Sequence, residues 1–244
     1  MAHWYRLIGA GSEGAHTFER DGVVAALVPA SPQRSVVNSV VYQDPRALAA
    51  AYDEIAAAYE AIGAKWTVWV HTGDTDTAAL LAQKGHVLDA SPEAMEADLT
   101  ETPPERPADD ALPEWTAVGD LADVGAINDR AYVHGGDWFS RALTRMPDGA
   151  VHIYVVHHDG EAVGCCATAD TGSNTEVQMV AVVPEARGQG LSGKLIAHSL
   201  ADAVERGSRT STLVATQLGR PVYERLGFRP LGVLEMWERR LDQR

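Results

Sequence analysis

Three glycines and one serine stand within seven residues in Arg187-Gly188-Gln189-Gly190-Leu191-Ser192-Gly193. Small side chains at that density let the main chain come close to a ligand. The first amides of any helix that starts in the run have no intrahelical partner. With the positive end of the helix dipole they make an anion site suited to a pyrophosphate.

The flanking residues supply the elements that would aim such a loop. Val177, Met179, Val180, Ala181, Val182 and Val183 form an apolar, β-branched run that reads as a buried strand, and Pro184 ends it because proline cannot donate to a sheet ladder. From Leu191 onward, Leu195, Ile196, Leu200, Ala203 and Val204 recur at helical spacing, and Gly207 falls where a left-handed residue after the helix is expected. A strand therefore leads into the loop, and a helix of about four turns leads out of it.

Two nucleotide-binding patterns are set aside. A Walker A loop needs Ser or Thr after its lysine, whereas Gly193-Lys194 is followed by Leu195. A dinucleotide fingerprint belongs at the end of a chain's first strand, with an acid about 20 residues on. The segment instead resembles motif A of the GNAT superfamily of acyl-CoA-dependent N-acyltransferases. Its Q/R-x-x-G-x-G/A signature is matched by Arg187, Gly190 and, with a serine in place of the last small residue, Ser192. The resemblance implies that Arg187, Gly188, Gln189, Gly190, Leu191, Ser192 and Gly193 hold the pyrophosphate of acetyl-CoA, and that the strand edge at Val180, Ala181 and Val182 bonds the pantetheine arm.

Downstream, Ser211 to Thr216 reads as a strand, and Pro221 to Leu226 as a short helix with proline in its first turn and Gly227 after its last. Tyr223, Gly227 and Phe228 resemble motif B of the same family, which strengthens the likeness because both motifs occur in order. The resemblance makes Tyr223 the donor of a proton to the departing CoA thiolate. An acceptor amine must lose its proton before it attacks a thioester, so a base is needed nearby, directly or through water. Glu176, at the start of the strand, holds the position of the catalytic glutamate in the histone-acetylating branch of the family. Glu161, Asp120, Asp123 and Asp129 are less well placed. A backbone amide near Val180 to Val182, freed by a bulge, would hold the oxyanion.

The rest of the second half follows the family order. Gly119 to Val133 and Asp137 to Met146 read as helices, and Val151 to Val156 and Ala162 to Thr168 as strands joined by the turn His158-Asp159-Gly160. The stretch from Asn128 to Trp138 would cover the acceptor cleft. The fold class is thus α/β (α+β), a mixed central sheet with flanking helices.

The first half carries an echo of the second. Sliding the chain by 142 positions aligns Gly85 with Gly227, Glu93 with Glu235, Met95 with Trp237, Glu96 with Glu238 and Leu99 with Leu241. Asp44-Pro45-Arg46-Ala47-Leu48 then stands where the Gly-rich loop would be, and Leu81 where Tyr223 would be. We read residues 1–100 as a degenerate GNAT-like domain, residues 101–111 as a Pro-rich linker and residues 112–244 as the acetyl-CoA-binding domain.

Composition bounds the setting. Cys165 and Cys166 are adjacent in a strand and point to opposite faces, so they form no disulfide framework. No apolar stretch is long enough for a membrane span, which points to a cytoplasmic protein without a membrane partner. A net charge of -14 argues against nucleic acid and suits a cationic acceptor. His152, His157, His158 and His198 lack a ligand spacing, so no metal is expected. The reading is an N-acetyltransferase acting on a primary amine of a small molecule or peptide, with homodimer formation left open. The alternative is a noncatalytic acyl-CoA-binding or regulatory protein that keeps the loop without turnover.

Overall fold

The computed structural model describes residues 1–108, 112, 115, 119–132 and 136–240. Parts of the expected linker, His134, Gly135 and Leu241 lie outside the described residues. Two compact units are present, Met1–Pro92 with Gly232–Arg244, and Glu93–Leu231.

The first unit begins with α1 (Ala2–Ile8), followed by β1 (His16–Arg20), β2 (Val23–Leu27), β3 (Ser39–Val41), α2 (Pro45–Ala61), β4 (Trp66–His71), α3 (Thr75–Gln83) and β5 (Val87–Ala90). Its strands run in the order β1, β2, β3, β4, and the sheet is completed by the last strand of the chain, β11 (Arg229–Arg239). Leu234 to Arg239 of β11 pair antiparallel with His71 to Trp66, and β5 pairs with the same strand. Leu48, Tyr52, Ile55 and Tyr59 recur along α2 at helical spacing and are buried on Val23, Leu27, Val40, Trp66 and Val68 of the sheet.

The second unit starts with β6 (Glu93–Asp98) and continues through α4 (Leu121–Ala131), α5 (Trp138–Ala142), β7 (His152–His158), β8 (Glu161–Thr171), β9 (Asn174–Val182), α6 (Leu191–Glu205), β10 (Thr210–Ala215) and α7 (Arg220–Arg225). Its strand order is β6, β10, β9, β8, β7. Asp159 and Gly160 take φ of +51° and +79° in the β7–β8 turn, as a two-residue hairpin requires. Helix α5 is shorter than the spacing suggests, because Leu143 leaves the helical region at φ -118° and ψ 60°.

The units therefore do not follow the chain order of the two repeats. Strand β6, the end of the first repeat, lies in the second unit against β10, and β11, the end of the second, lies in the first unit against β4. The Pro-rich stretch parts the repeats in sequence, whereas each compact unit takes in a terminal strand from the other repeat. Both repeats run strand, strand, strand, helix, strand, helix after their opening helices, and the first then has two strands, β5 and β6, where the second has the single long β11.

The likeness extends to single hydrogen bonds. The His86 amide donates to Leu81 O at 2.9 Å and the Phe228 amide to Tyr223 O at 3.1 Å, with Gly85 and Gly227 at φ +84° and +87° between them. The same turn thus closes α3 and α7, 142 positions apart.

Candidate active site

Strand β9 ends at Val182, a single 3₁₀ turn covers Pro184–Ala186, and α6 starts at Leu191. Gly188 and Gly190 in the intervening loop have φ of +80° and +74°. A Cβ at either would meet no atom within 4 Å, so glycine is needed there for backbone conformation rather than for room. Gly190 is the N-cap of α6 and brings no capping side chain. The amides of the first turn are left to be satisfied from outside the helix. Helices α2, α3 and α4, by contrast, are capped by Asp44, Asp74 and Asp120.

The strand entering this loop parts from its neighbours on both sides. Parallel pairing with β10 is confined to Asn174, Thr175 and Glu176 against Thr210, Ser211 and Thr212, although β9 runs on for six more residues. On the other side the register with β8 shifts between Cys165 and Ala167, which pair with Ala181 and Gln178. Met179 within the shift has φ +53°. The interruption expected near Val180 to Val182 is centred on Met179 and Val180, because the left-handed residue is Met179. Ala181 is buried, while Val180 and Val182 are half-buried.

Glu176 occupies the last paired position before β9 and β10 separate, and its side chain is buried with Oε1 accepting from Gln178 Nε2 at 2.8 Å. Tyr223 lies on α7, buried and edge-on to Phe228 at 6.0 Å between ring centroids. Burial pushes its phenol well above the usual range, with the nearby Cys166 and Tyr132 adding in the same direction.

Residues 149–230 match the family model described as an acetyltransferase (GNAT) domain. The chain is 26% identical to a mycothiol acetyltransferase from Tsukamurella paurometabola, over 92% of this chain and 87% of that protein. The structure superposes on a GCN5-related N-acetyltransferase from Kribbella flavida with a TM-score of 0.65 at 19% identity, covering 97% and 94% of the two chains. A tandem GNAT protein from the clavulanic acid biosynthesis pathway gives 0.60 at 18% identity, covering 92% and 82%. The chain has the fold of the GNAT superfamily, and its residues 149–230 match that family's model. It is an acetyltransferase, and relatives with two GNAT repeats exist among solved structures.

The same part of the chain also shows what several other residues do. The Arg187 guanidinium is turned to protein carbonyls, with Nε donating to Val182 O at 3.1 Å and a terminal nitrogen to Ala131 O at 2.7 Å. It ties the end of α4 to the end of β9. Asp120 caps α4, and Asp129 accepts from the amides of Phe139 and Ser140 at the start of α5. Exposed Glu161 lies 3.8 Å from Arg130. These acids are occupied structurally. His152, His157 and His198 each lie within 4.0 Å of an aspartate, respectively Asp170, Asp123 and Asp202. Among the described residues no group of three or more side chains could hold a metal ion, and no helix is long and apolar enough to cross a membrane.

Reading the sequence for chemistry misses two residues that border the interruption, Asn128 and Cys165. Asn128 is buried on α4 and its Nδ2 reaches Cys165 Sγ at 3.4 Å. Neither belongs to a motif, and their meeting depends on how α4 packs on β8.

Proposed function

We propose that the second repeat transfers the acetyl group of acetyl-CoA to a primary amine of a small molecule or peptide. The observation that carries this is the uncapped N-terminus of α6, reached from a strand that separates from β10 directly after Glu176. Gly188 to Gly193 form the cradle for the pyrophosphate, their amides supplying donors and the helix dipole a favourable field. Val180, Ala181 and Val182 border the pantetheine and thioester.

Transfer then follows from positioning and a few proton movements. Glu176, directly or through water, takes a proton from the ammonium form of the acceptor. The neutral amine attacks the thioester carbonyl, and its oxygen gains charge beside a β9 amide. The intermediate collapses with cleavage of the C–S bond, the thiolate takes the Tyr223 proton, and the proton that the acceptor nitrogen sheds as the amide forms returns through water to the Tyr223 oxygen. Because burial holds the phenol well above its usual range, Tyr223 stays protonated, the form a donor requires, throughout the neutral range. The net charge of -14 suits a cationic acceptor. The mycothiol acetyltransferase relative puts small-molecule amines related to mycothiol first in an acceptor panel.

The test is release of free CoA thiol from acetyl-CoA across a panel of mycothiol-related amines, polyamines, aminoglycosides and basic peptides. One or more amines should support turnover, and Tyr223→Phe should lower kcat on them by about 100-fold or more. Binding of acetyl-CoA with no thiol release from any amine would sink the reading.

A further inference from the structure

Cys165 is a fully buried thiol to which the chemistry above gives no part, and it sits at the interruption of the β8–β9 ladder. Its Sγ accepts from Asn128 Nδ2 at 3.4 Å and donates to Met179 O at 3.2 Å. Asn128 is itself anchored, since the same Nδ2 donates to Val124 O at 2.8 Å one turn back along α4. Neighbouring Cys166 points to the opposite face of β8, where it meets Ser199 Oγ at 3.6 Å.

A register shift in a buried ladder deprives main-chain groups of their cross-strand partners, and each such group costs free energy unless something else bonds it. A thiol can donate once and accept as well, so one sulfur serves both the Met179 carbonyl and the Asn128 side-chain amide. Met179 also holds a left-handed conformation that a residue with a Cβ rarely adopts, and such a conformation persists only where its surroundings fix it. With a donor arriving from Asn128, the S–H is left to point at Met179 O.

We infer that Cys165, oriented by Asn128, is a positioning residue for acetyl transfer: it occupies the Met179 carbonyl, and so holds the interruption in the shape that leaves the Val180 amide for the thioester carbonyl. This rests on the proposal that the acetyl thioester lies along β9.

CoA lacks the acetyl carbonyl, so the ratio of the CoA to the acetyl-CoA dissociation constant isolates the bond to that oxygen. Calorimetric titration of both ligands into wild type, Cys165→Val and Cys165→Ser reads that ratio directly. Valine should lower it roughly fivefold while leaving CoA affinity unchanged, and serine, which can both donate and accept, should restore it. A Cys165→Val protein that binds CoA with an unaltered ratio overturns the inference and leaves the acetyl-transfer reading in place. A wild type that binds neither ligand overturns both. Should the valine variant not fold, Asn128→Ala breaks the same chain from α4. A twofold or larger fall in its ratio supports the inference, and an unchanged ratio overturns it.

Discussion

Helices α2 and α6 hold equivalent places in the two repeats, yet their first turns are chemically opposite. Helix α2 begins after Asp44, whose carboxylate accepts from the Arg46 amide at 2.8 Å, and Pro45 removes one further donor. Helix α6 begins after Gly190 and has no side-chain cap. A carboxylate at an N-terminus satisfies the free amides and neutralises the end of the dipole, so it competes with any phosphate for the same groups. On the proposed reading, the better-capped α2 offers no counterpart of the anion site at α6. Motif B shows the same division, with buried Leu81 where the second repeat has Tyr223.

The comparison is sharpened most by moving the carboxylate. Gly190→Asp should weaken acetyl-CoA binding by about 100-fold, because it places a negative charge on the cradle. Gly190→Asn tolerates the same left-handed backbone without charge and should retain most of the affinity. Calorimetry that finds the two variants equal would show that shape, not charge, separates the two helix starts.

A second difference lies after the motif B turn, where the first repeat has His86 and the second Phe228. His86 is buried, with Nδ1 bonding Trp237 O and Nε2 bonding the Tyr52 hydroxyl, each at 2.9 Å. Burial lowers its pKa to about 4, and Arg239 acts in the same direction against the Trp237 carbonyl. The unfolded chain, with a histidine pKa of about 6.5, binds the extra proton first as pH falls. This contribution to stability is therefore present above about 6.5 and is lost progressively down to about pH 4. Urea unfolding should show a loss on the order of 2–3 kcal/mol across that window, and His86→Phe should flatten it. An equally steep wild-type and His86→Phe profile would locate the titration elsewhere.

The smallest effect belongs to the cap itself. Asp44→Ala should cost about 1 kcal/mol in denaturant unfolding and create no acetyl-CoA binding at α2, since Pro45 and the absence of a Gly-rich loop remain. A second acetyl-CoA equivalent bound by this variant would mean that the cap alone silenced the first repeat.

Much of this arrangement is legible in the chain. The turn from β9 into α6, the Asp159-Gly160 hairpin and the α7 helix from Arg220 to Arg225 follow from short-range periodicity and from positions that require glycine or proline. The offset linking Gly85 to Gly227 is legible for the same reason, because a helix end needs the same left-handed residue in each repeat. Met179 is not legible in this way. In sequence it belongs to an apolar strand, and its positive φ comes from the register that β8 imposes.

The amino-acid sequence alone determined the local elements, the anion-ready loop, Tyr223 at its motif position and the capped start of the first repeat, since each depends on residues within a turn or two of one another. Tertiary structure decided that β6 and β11 lie in the units opposite their repeats, that β9 leaves β10 after Glu176, and that Arg187 turns to carbonyls. It also brought Asn128 and Cys165 to the interruption beside Met179. These depend on pairings between residues far apart in the chain, where many partners satisfy the same hydrophobic pattern and only packing and the accounting of buried hydrogen bonds select among them.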